Sequence, residues 1–369
     1  MRVKLTSICH PKQYKTISKR DLLDDGEYAV YGANGIIGKY HSYTHNKPML
    51  LITCRGATSG NLNISKPFSY INGNAMTLDN LSSDVNLKYL YYHLSKRKFN
   101  DVITGSAQPQ ITRESLEKIT ISLHPLEEQK SITKKLDKAQ ELIELRKSSI
   151  KKLDELSKAL FVDMFGDPVE NEMGWEVVKL KEILITIDGG WSPVCENYPR
   201  ENTNNAVLKL SALNNNTYHQ LENKTMKENC EPKLQTMVKK RDLLFSRKNT
   251  FMLVGSCAYV FETEANLFLP DLIFRLNPTD KINSIYLWKY LTNDNVKIGI
   301  RNLSNGAAAS MPNISKAKLL DFKVKLPPLP LQQKFAKTIE KIEAQKALYE
   351  EELKGFEDLF ESLLSESFA

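Results

Sequence analysis

The chain has no run of apolar residues close to the roughly 18 to 20 that a membrane-spanning helix requires, so no membrane partner is expected. Its 5 cysteines, Cys9, Cys54, Cys195, Cys230 and Cys257, are scattered and share no C-x-x-C spacing. An odd, dispersed set predicts reduced thiols in a reducing compartment, not a disulfide framework. His41 and His45 are the only closely spaced histidines, and no neighbouring cysteine or acidic cluster completes a metal set. No metal site is expected. The opening Met1-Arg2-Val3-Lys4-Leu5-Thr6 has no signal-peptide pattern, which predicts a cytoplasmic protein.

Signatures of catalysis are equally thin. There is no G-x-x-x-x-G-K-[ST] run to cradle a nucleotide's phosphates, and no Asn-Pro-Pro-aromatic or Asp-Pro-Pro-aromatic run of the kind amino-methyltransferases use on a flipped base. Glu222-Asn223-Lys224 has the E-x-K shape of a metal-dependent nuclease, but Asp188, a candidate upstream carboxylate, is distant and lacks the usual preceding proline. Tyr31-Gly32-Ala33-Asn34-Gly35-Ile36-Ile37-Gly38 is glycine-punctuated without the G-x-G-x-x-G spacing of a dinucleotide site. Serines and histidines form no recognisable nucleophile set. The chain is expected to bind, not to catalyse.

What is present in abundance is repetition. Residues 109–166 recur without a gap as 312–369: Pro109 and Pro312, Ile111 and Ile314, Leu116 and Leu319, Gln129 and Gln332, Leu160 and Leu363, Phe165 and Phe368, always 203 apart. One fixed offset implies two copies of a structural unit about an approximate two-fold axis. At 369 residues, with 41% hydrophobic and 26% charged content, the chain suggests two or three globular parts. A two-fold chain suits a two-fold or bipartite target, and duplex DNA is the first candidate.

Two long helices are predicted, over 128–164 and 331–366. Heptad stepping in the first lands on Ile132, Leu136, Ala139, Ile143, Arg146, Ile150, Leu153, Ser157 and Leu160. In the second it lands on Phe335, Ile339, Ile342, Lys346, Tyr349, Leu353, Phe356, Phe360 and Leu363. Sustained heptads read as a coiled-coil seam, for which Ile132, Leu136, Ile143, Ile150, Leu153, Ile339, Ile342, Leu353, Phe356 and Phe360 are the core positions. Each helix would be roughly 55 Å long at 1.5 Å per residue, more than one compact domain needs, which suggests a spacer. A domain–helix–domain–helix order with two-fold symmetry sets the helices antiparallel. Gly355 is the one weak point.

The net charge is +7, of which residues 126–166 hold +1 and residues 329–369 hold −4. The positive surplus therefore lies outside the helices, where a nucleic-acid face would need it. Just before each helix comes an alternating strand-like run, Ile119–Leu123 and Phe322–Leu326, and both globular parts open alike, with Val3-Lys4-Leu5 and Val178-Lys179-Leu180. Between these shared ends the sequences do not match. The first part holds a small polar loop, Arg55-Gly56-Ala57-Thr58-Ser59-Gly60-Asn61. The second runs a buried strand into a basic loop, Asp242 to Thr250, and holds a strand ending in arginine, Pro270 to Leu276.

Together these features resemble the specificity (S) subunit of type I restriction–modification systems, across nearly the whole chain. The resemblance rests on the duplicated Pro-Leu-x-x-Gln entries (Pro125 to Gln129, Pro328 to Gln332) and the helices after them. It rests also on Tyr31 to Gly38, Arg55 to Asn61, Val207 to Ala212, Leu243 to Thr250, Leu269 to Leu276, and Ser310-Met311-Pro312-Asn313-Ile314. Two details depart from tidy symmetry: His124 stands where the second copy has Pro327, and Gly355 interrupts the second helix.

The resemblance implies an α+β chain with two globular α/β target recognition domains joined by two antiparallel coiled-coil helices. The domains would be 1–124 and 167–326, the helices 125–166 and 327–369. It further implies that each domain reads one part of a split double-stranded DNA target, with the helices acting as a ruler. The helices would dock two copies of an adenine-methylating modification subunit carrying S-adenosylmethionine, and a motor-nuclease subunit using ATP with Mg could join. No cofactor is expected in this chain. The expected DNA contacts are Asn34, Arg55, Ser59, Asn61 and Gln108 in the first domain, and Lys209, Ser211, Arg247, Asn249, Thr250 and Asn313 in the second, since Lys and Arg suit phosphates and amides and hydroxyls suit base edges. The alternative is a standalone bipartite DNA-binding regulator without an enzyme partner.

Overall fold

The computed structural model describes residues 1–105, 108–304 and 311–368; Ser310 of the motif above lies outside them. The chain divides into two compact units, Met1–Ser148 with Glu350–Ala369, and Ser149–Tyr349. Each unit takes part of each long helix.

The first unit contains β1 (Arg2–Lys4), α1 (Leu5–Ile8), β2 (His10–Gln13), β3 (Tyr28–Gly32), β4 (Gly35–Tyr40), β5 (Leu50–Thr53), β6 (Leu62–Ile64), β7 (Ser69–Ile71), β8 (Ala75–Asp79), α2 (Leu87–Arg97), α3 (Arg113–Leu116) and β9 (Thr120–Ser122). The strands form an antiparallel sheet ordered β2-β8-β5-β6, a three-stranded sheet β4-β3-β7 and a closing pair β1-β9. β5 is buried at every residue, as its unbroken apolar run Leu50-Leu51-Ile52 requires. Leu5, Leu50, Ile52, Tyr89, Leu90, Leu116 and Ile121 build the core beside it.

After the first long helix, α4 (Leu126–Phe165), the second unit contains β10 (Glu176–Lys179), α5 (Leu180–Ile183), β11 (Leu184–Gly189), β12 (Ala206–Leu208), β13 (Asn223–Thr225), β14 (Leu243–Ser246), β15 (Cys257–Tyr259), β16 (Leu267–Phe268), β17 (Ile273–Pro278), α6 (Ser284–Thr292), α7 (Asp294–Asn302), α8 (Lys316–Leu320), β18 (Lys323–Leu326) and the second long helix, α9 (Leu329–Ser367). Its sheets are β11-β17-β14-β15, β13-β12-β16 and β10-β18. Every strand of the first unit thus has a counterpart nine strands later, in the same order. Even the single parallel pairing inside each three-stranded sheet recurs, β3 with β7 and β12 with β16. The interiors, which do not match at the 203-residue offset, share a topology.

Both long helices extend a little beyond the expected bounds, beginning directly after Pro125 and Pro328. Pro330 is tolerated because it lies in the first turn, where an N–H has no intrahelical partner to lose. Along the seam Leu136, Ile143, Ile339 and Ile342 are buried and Ile132, Ile150, Leu153, Leu353, Phe356 and Phe360 half-buried. In the first unit Leu136 packs with Phe360 and Leu364, while Arg146 pairs with Glu352 at 2.8 Å and Lys147 with Glu357 at 3.1 Å. In the second, Lys346 pairs with Asp154 at 2.6 Å, and Phe335 meets Phe161 and Phe165 at ring distances of 5.7 and 5.1 Å. Within each unit one number falls as the other rises, so the segments run antiparallel. The polar interruptions Arg146 and Lys346 are each met by an acid from the opposite helix.

Candidate nucleic-acid interface

In the first unit three loops are drawn together by backbone bonds. The Thr53 hydroxyl, at the end of β5, donates to the Ala33 carbonyl, which brings the β3–β4 turn and the exposed Asn34 against the β5–β6 loop. That loop is pinned to the segment before α3. Gly56 N–H donates to the Pro109 carbonyl at 2.9 Å, Ile111 N–H donates to the Cys54 carbonyl at 3.0 Å, and Arg55 bridges to Gln110. Gly60 adopts φ +95°, and a Cβ there would meet Phe99 at 3.1 Å, so glycine is required for the turn. Asn34, Ser59, Asn61 and Lys98 line an open cleft of about 500 Å³.

Of the five residues expected here, the structure therefore gathers Asn34, Ser59 and Asn61 on one cleft and places Arg55 and Gln108, both exposed, on the adjoining loops. The Ser59 hydroxyl is used internally, 2.8 Å from the Gly56 carbonyl and 2.9 Å from that of Pro109. It braces the loop.

In the second unit the same construction recurs. Ile314 N–H donates to the Arg247 carbonyl at 2.8 Å, Asn249 N–H donates to the Pro312 carbonyl at 3.4 Å, and Lys248 bridges to Asn313. Arg247 Nε donates to Asn313 Oδ1 at 3.1 Å, and its guanidinium lies 5.1 Å from the Phe274 ring centre. Asn249 is buried and accepts from Thr250 N–H at 2.9 Å; it shapes the loop. Thr250 is exposed.

Lys209 and Ser211 belong to a different cluster. Lys209 Nζ lies 2.9 Å from Glu222 Oε2, and the Ser211 hydroxyl donates to the same oxygen. Those two bonds, the serine's first, hold the Glu222 carboxyl below its usual range. The E-x-K glutamate is thus engaged on the β12–β13 hairpin, whereas Asp188 sits in another sheet and accepts from Thr186 and Asn277. Arg275, expected at a strand end, lies within β17, buried, with its Nε 2.9 Å from Asp242.

Placing the two bridges side by side identifies residues that sequence reasoning missed. Pro109-Gln110-Ile111 corresponds to Pro312-Asn313-Ile314, and Cys54-Arg55-Gly56 to Arg247-Lys248-Asn249. The counterpart of Asn313 is Gln110, not Gln108, and the counterpart of Arg55 is Lys248, not Arg247. The signal was available for Gln110, which lies 203 residues before Asn313. No such signal marks Lys248, because the offset there changes to 193.

Residues 1–155 and 172–356 match the model of the Type I restriction modification DNA specificity domain. The chain belongs to this family. Among curated relatives it is 33% identical to the Type I restriction enzyme EcoEI specificity subunit of Escherichia coli over 175 residues, 47% of this chain and 30% of that protein. It is 28% identical to the Type I restriction enzyme MjaVIII specificity subunit of Methanocaldococcus jannaschii over 189 residues, 45% of this chain and 44% of that one. The chain spans less than half the length of these relatives. Among solved structures, the Type-I restriction–modification S subunit from M. genitalium aligns with a TM-score of 0.69 at 17% identity, over 100% of this chain and 96% of that one. A chain from work on complex assembly and conformational transition of the type I R-M system aligns with a TM-score of 0.53 at 17% identity, over 100% and 97%. These likenesses are of fold. No helix among the described residues is long and apolar enough to cross a membrane.

Proposed function

We propose that this chain is the DNA sequence-recognition subunit of a type I restriction–modification complex, acting in the cytoplasm and contributing no catalytic group itself. Each globular part reads one half of a bipartite duplex target. The paired helices set the unread spacer and dock two adenine-methylating modification subunits, which supply S-adenosylmethionine; a motor-nuclease subunit with ATP and Mg joins where restriction occurs. The observation that carries this reading is the recurrence, in two units of matched topology, of one loop bridge bearing a cation and a carboxamide. Lysine and arginine on phosphates supply affinity, and amides on base edges supply discrimination. Arg55, Gln108, Arg247 and Thr250 stand on these loops as DNA contacts, Asn34 and Asn61 line the first cleft, and Asn313 completes the second bridge. Lys209 and Ser211 reach DNA only by exchanging Glu222 for it.

Selection of bound sequences from random duplex DNA, using the chain assembled with its modification subunit, tests the proposal. Enrichment of two short half-sites at fixed separation supports it. Enrichment of one contiguous motif, or of none, contradicts it.

A further inference from the structure

Within each unit, the bridge presents one residue outward between two anchored neighbours. Ile111 and Ile314 are 3% and 0% exposed, and their N–H groups are fastened to the opposing loop. Between Pro109 and Ile111 the chain is extended, so Gln110 projects to the other face. Gln110 is exposed, its backbone N–H and carbonyl are both bonded to Thr104, and no side-chain hydrogen bond among the described residues engages its carboxamide. Two residues further on, Thr112 and Ser315 cap α3 and α8 in the same way, accepting from Ser115 N–H at 3.2 Å and from Lys318 N–H at 3.3 Å. The backbone at positions 110 and 313 is therefore held from both sides. Directly across the bridge stands a cation, Arg55 in one unit and Lys248 in the other, neither with an ion pair among the described residues.

We infer that Gln110 and Asn313 are equivalent purine-reading residues, one per half-site, and that Arg55 and Lys248 are their equivalent phosphate anchors. This rests on the DNA-recognition reading above. The carboxamide offers an NH2 donor side and a carbonyl acceptor side on a rigid backbone, the pattern that matches the N7 and exocyclic amino group of an adenine in the major groove. In the second unit Arg247 Nε donates to Asn313 Oδ1 at 3.1 Å, which fixes the amide's orientation, while no hydrogen bond among the described residues engages Nδ2. Gln110 has no such partner and is longer. The first half-site is thus read by a more mobile amide than the second.

The test compares adenine-methylation motifs directed by the full chain, with its modification subunit, for wild type, Gln110→Ala, Asn313→Ala, Arg55→Ala and Lys248→Ala. Each amide variant is expected to relax one base position in one half-site, with discrimination there falling roughly 5- to 150-fold, while the other half-site stays intact. Arg55→Ala and Lys248→Ala are expected to lower methylation across all sites without altering the motif. An unchanged motif for both amide variants overturns the assignment, as does uniform loss of methylation in an amide variant that melts normally. Should Gln110→Ala fail to fold, Gln110→Glu repeats the test at constant shape, with an altered single position supporting the assignment and an unaltered motif overturning it. A wild-type chain that directs no split motif would instead remove the recognition reading itself.

Discussion

Gln129 and Gln332, 203 residues apart, make the same three hydrogen bonds in the two units. Gln129 Oε1 accepts from Asn86 N–H at 2.8 Å, and its Nε2 donates to the carbonyls of Asp84 and His124 at 2.8 and 2.9 Å. Gln332 Oε1 accepts from Asn283 N–H at 2.8 Å, and its Nε2 donates to those of Lys281 and Pro327 at 3.5 and 2.7 Å. Both side chains are 0% exposed. Asn86 and Asn283 in turn cap α2 and α6, and Tyr89 and Tyr286 reach from those helices to the carbonyls of Ser122 and Lys325. Each glutamine therefore welds the start of a long helix to the globular part that precedes it.

Replacing either glutamine with leucine removes all three bonds and strands buried backbone groups. A loss of about 3 kcal/mol is expected for Gln129→Leu and for Gln332→Leu, since each stranded group costs about 1 to 3 kcal/mol. Chemical denaturation followed at equilibrium measures it; a loss below about 0.5 kcal/mol would show that the tie contributes little.

The His93 ring, in α2, is buried and accepts from Ser122 N–H at 3.0 Å. Burial, above all, pushes its pKa down from the usual 6.5 to about 4. The unfolded chain then binds the extra proton first, so stability falls as pH drops from about 6.5 to about 4, by on the order of 3 kcal/mol for this group. His93→Gln keeps an acceptor and cannot titrate. The gap between wild-type and variant melting temperatures is expected to shift in the variant's favour between pH 7 and pH 4.5. Parallel curves would refute the assignment of this acid sensitivity to His93.

Gly355 lies inside α9 in an exposed position, and a Cβ added there meets nothing within 4 Å. Gly355→Ala should stabilise the protein by about 0.5 to 1 kcal/mol through lower unfolded-state entropy and better helix propensity. Thermal unfolding with a lower melting temperature for the variant would mean that the position has a contact in the working protein.

If the paired helices set the spacer, one added heptad in α4 matched by one in α9 lengthens them by about 10 Å at 1.5 Å per residue. The split motif should widen by about three base pairs with both half-sites unchanged. Methylation mapping of such a variant, returning the original spacing, would reject the ruler role.

The helices were legible because a heptad seam repeats over many turns and each error is outvoted. Their start points were legible from Pro125 and Pro328. The strand pairing was not, because strands such as Leu243–Ser246 are buried at every residue and carry no alternation to read. The deeper repeat was hidden by changing offsets. It is 203 through the helices but 197 between Asn86-x-x-Tyr89-Leu90 and Asn283-x-x-Tyr286-Leu287, so a search at one offset passes over α2 and α6. At the candidate interface, residue type alone could not separate Lys209 and Ser211, which are held by Glu222, from Arg55, which is not. That distinction depends on which loops the fold brings together.

The central claim, that this chain directs adenine methylation to a split DNA sequence, is tested most directly by a genome-wide map of methylated adenines with the gene present and deleted. Deletion is expected to remove one bipartite motif, with all other methylation intact. An unchanged map, in cells that express the accompanying modification subunit, would contradict it.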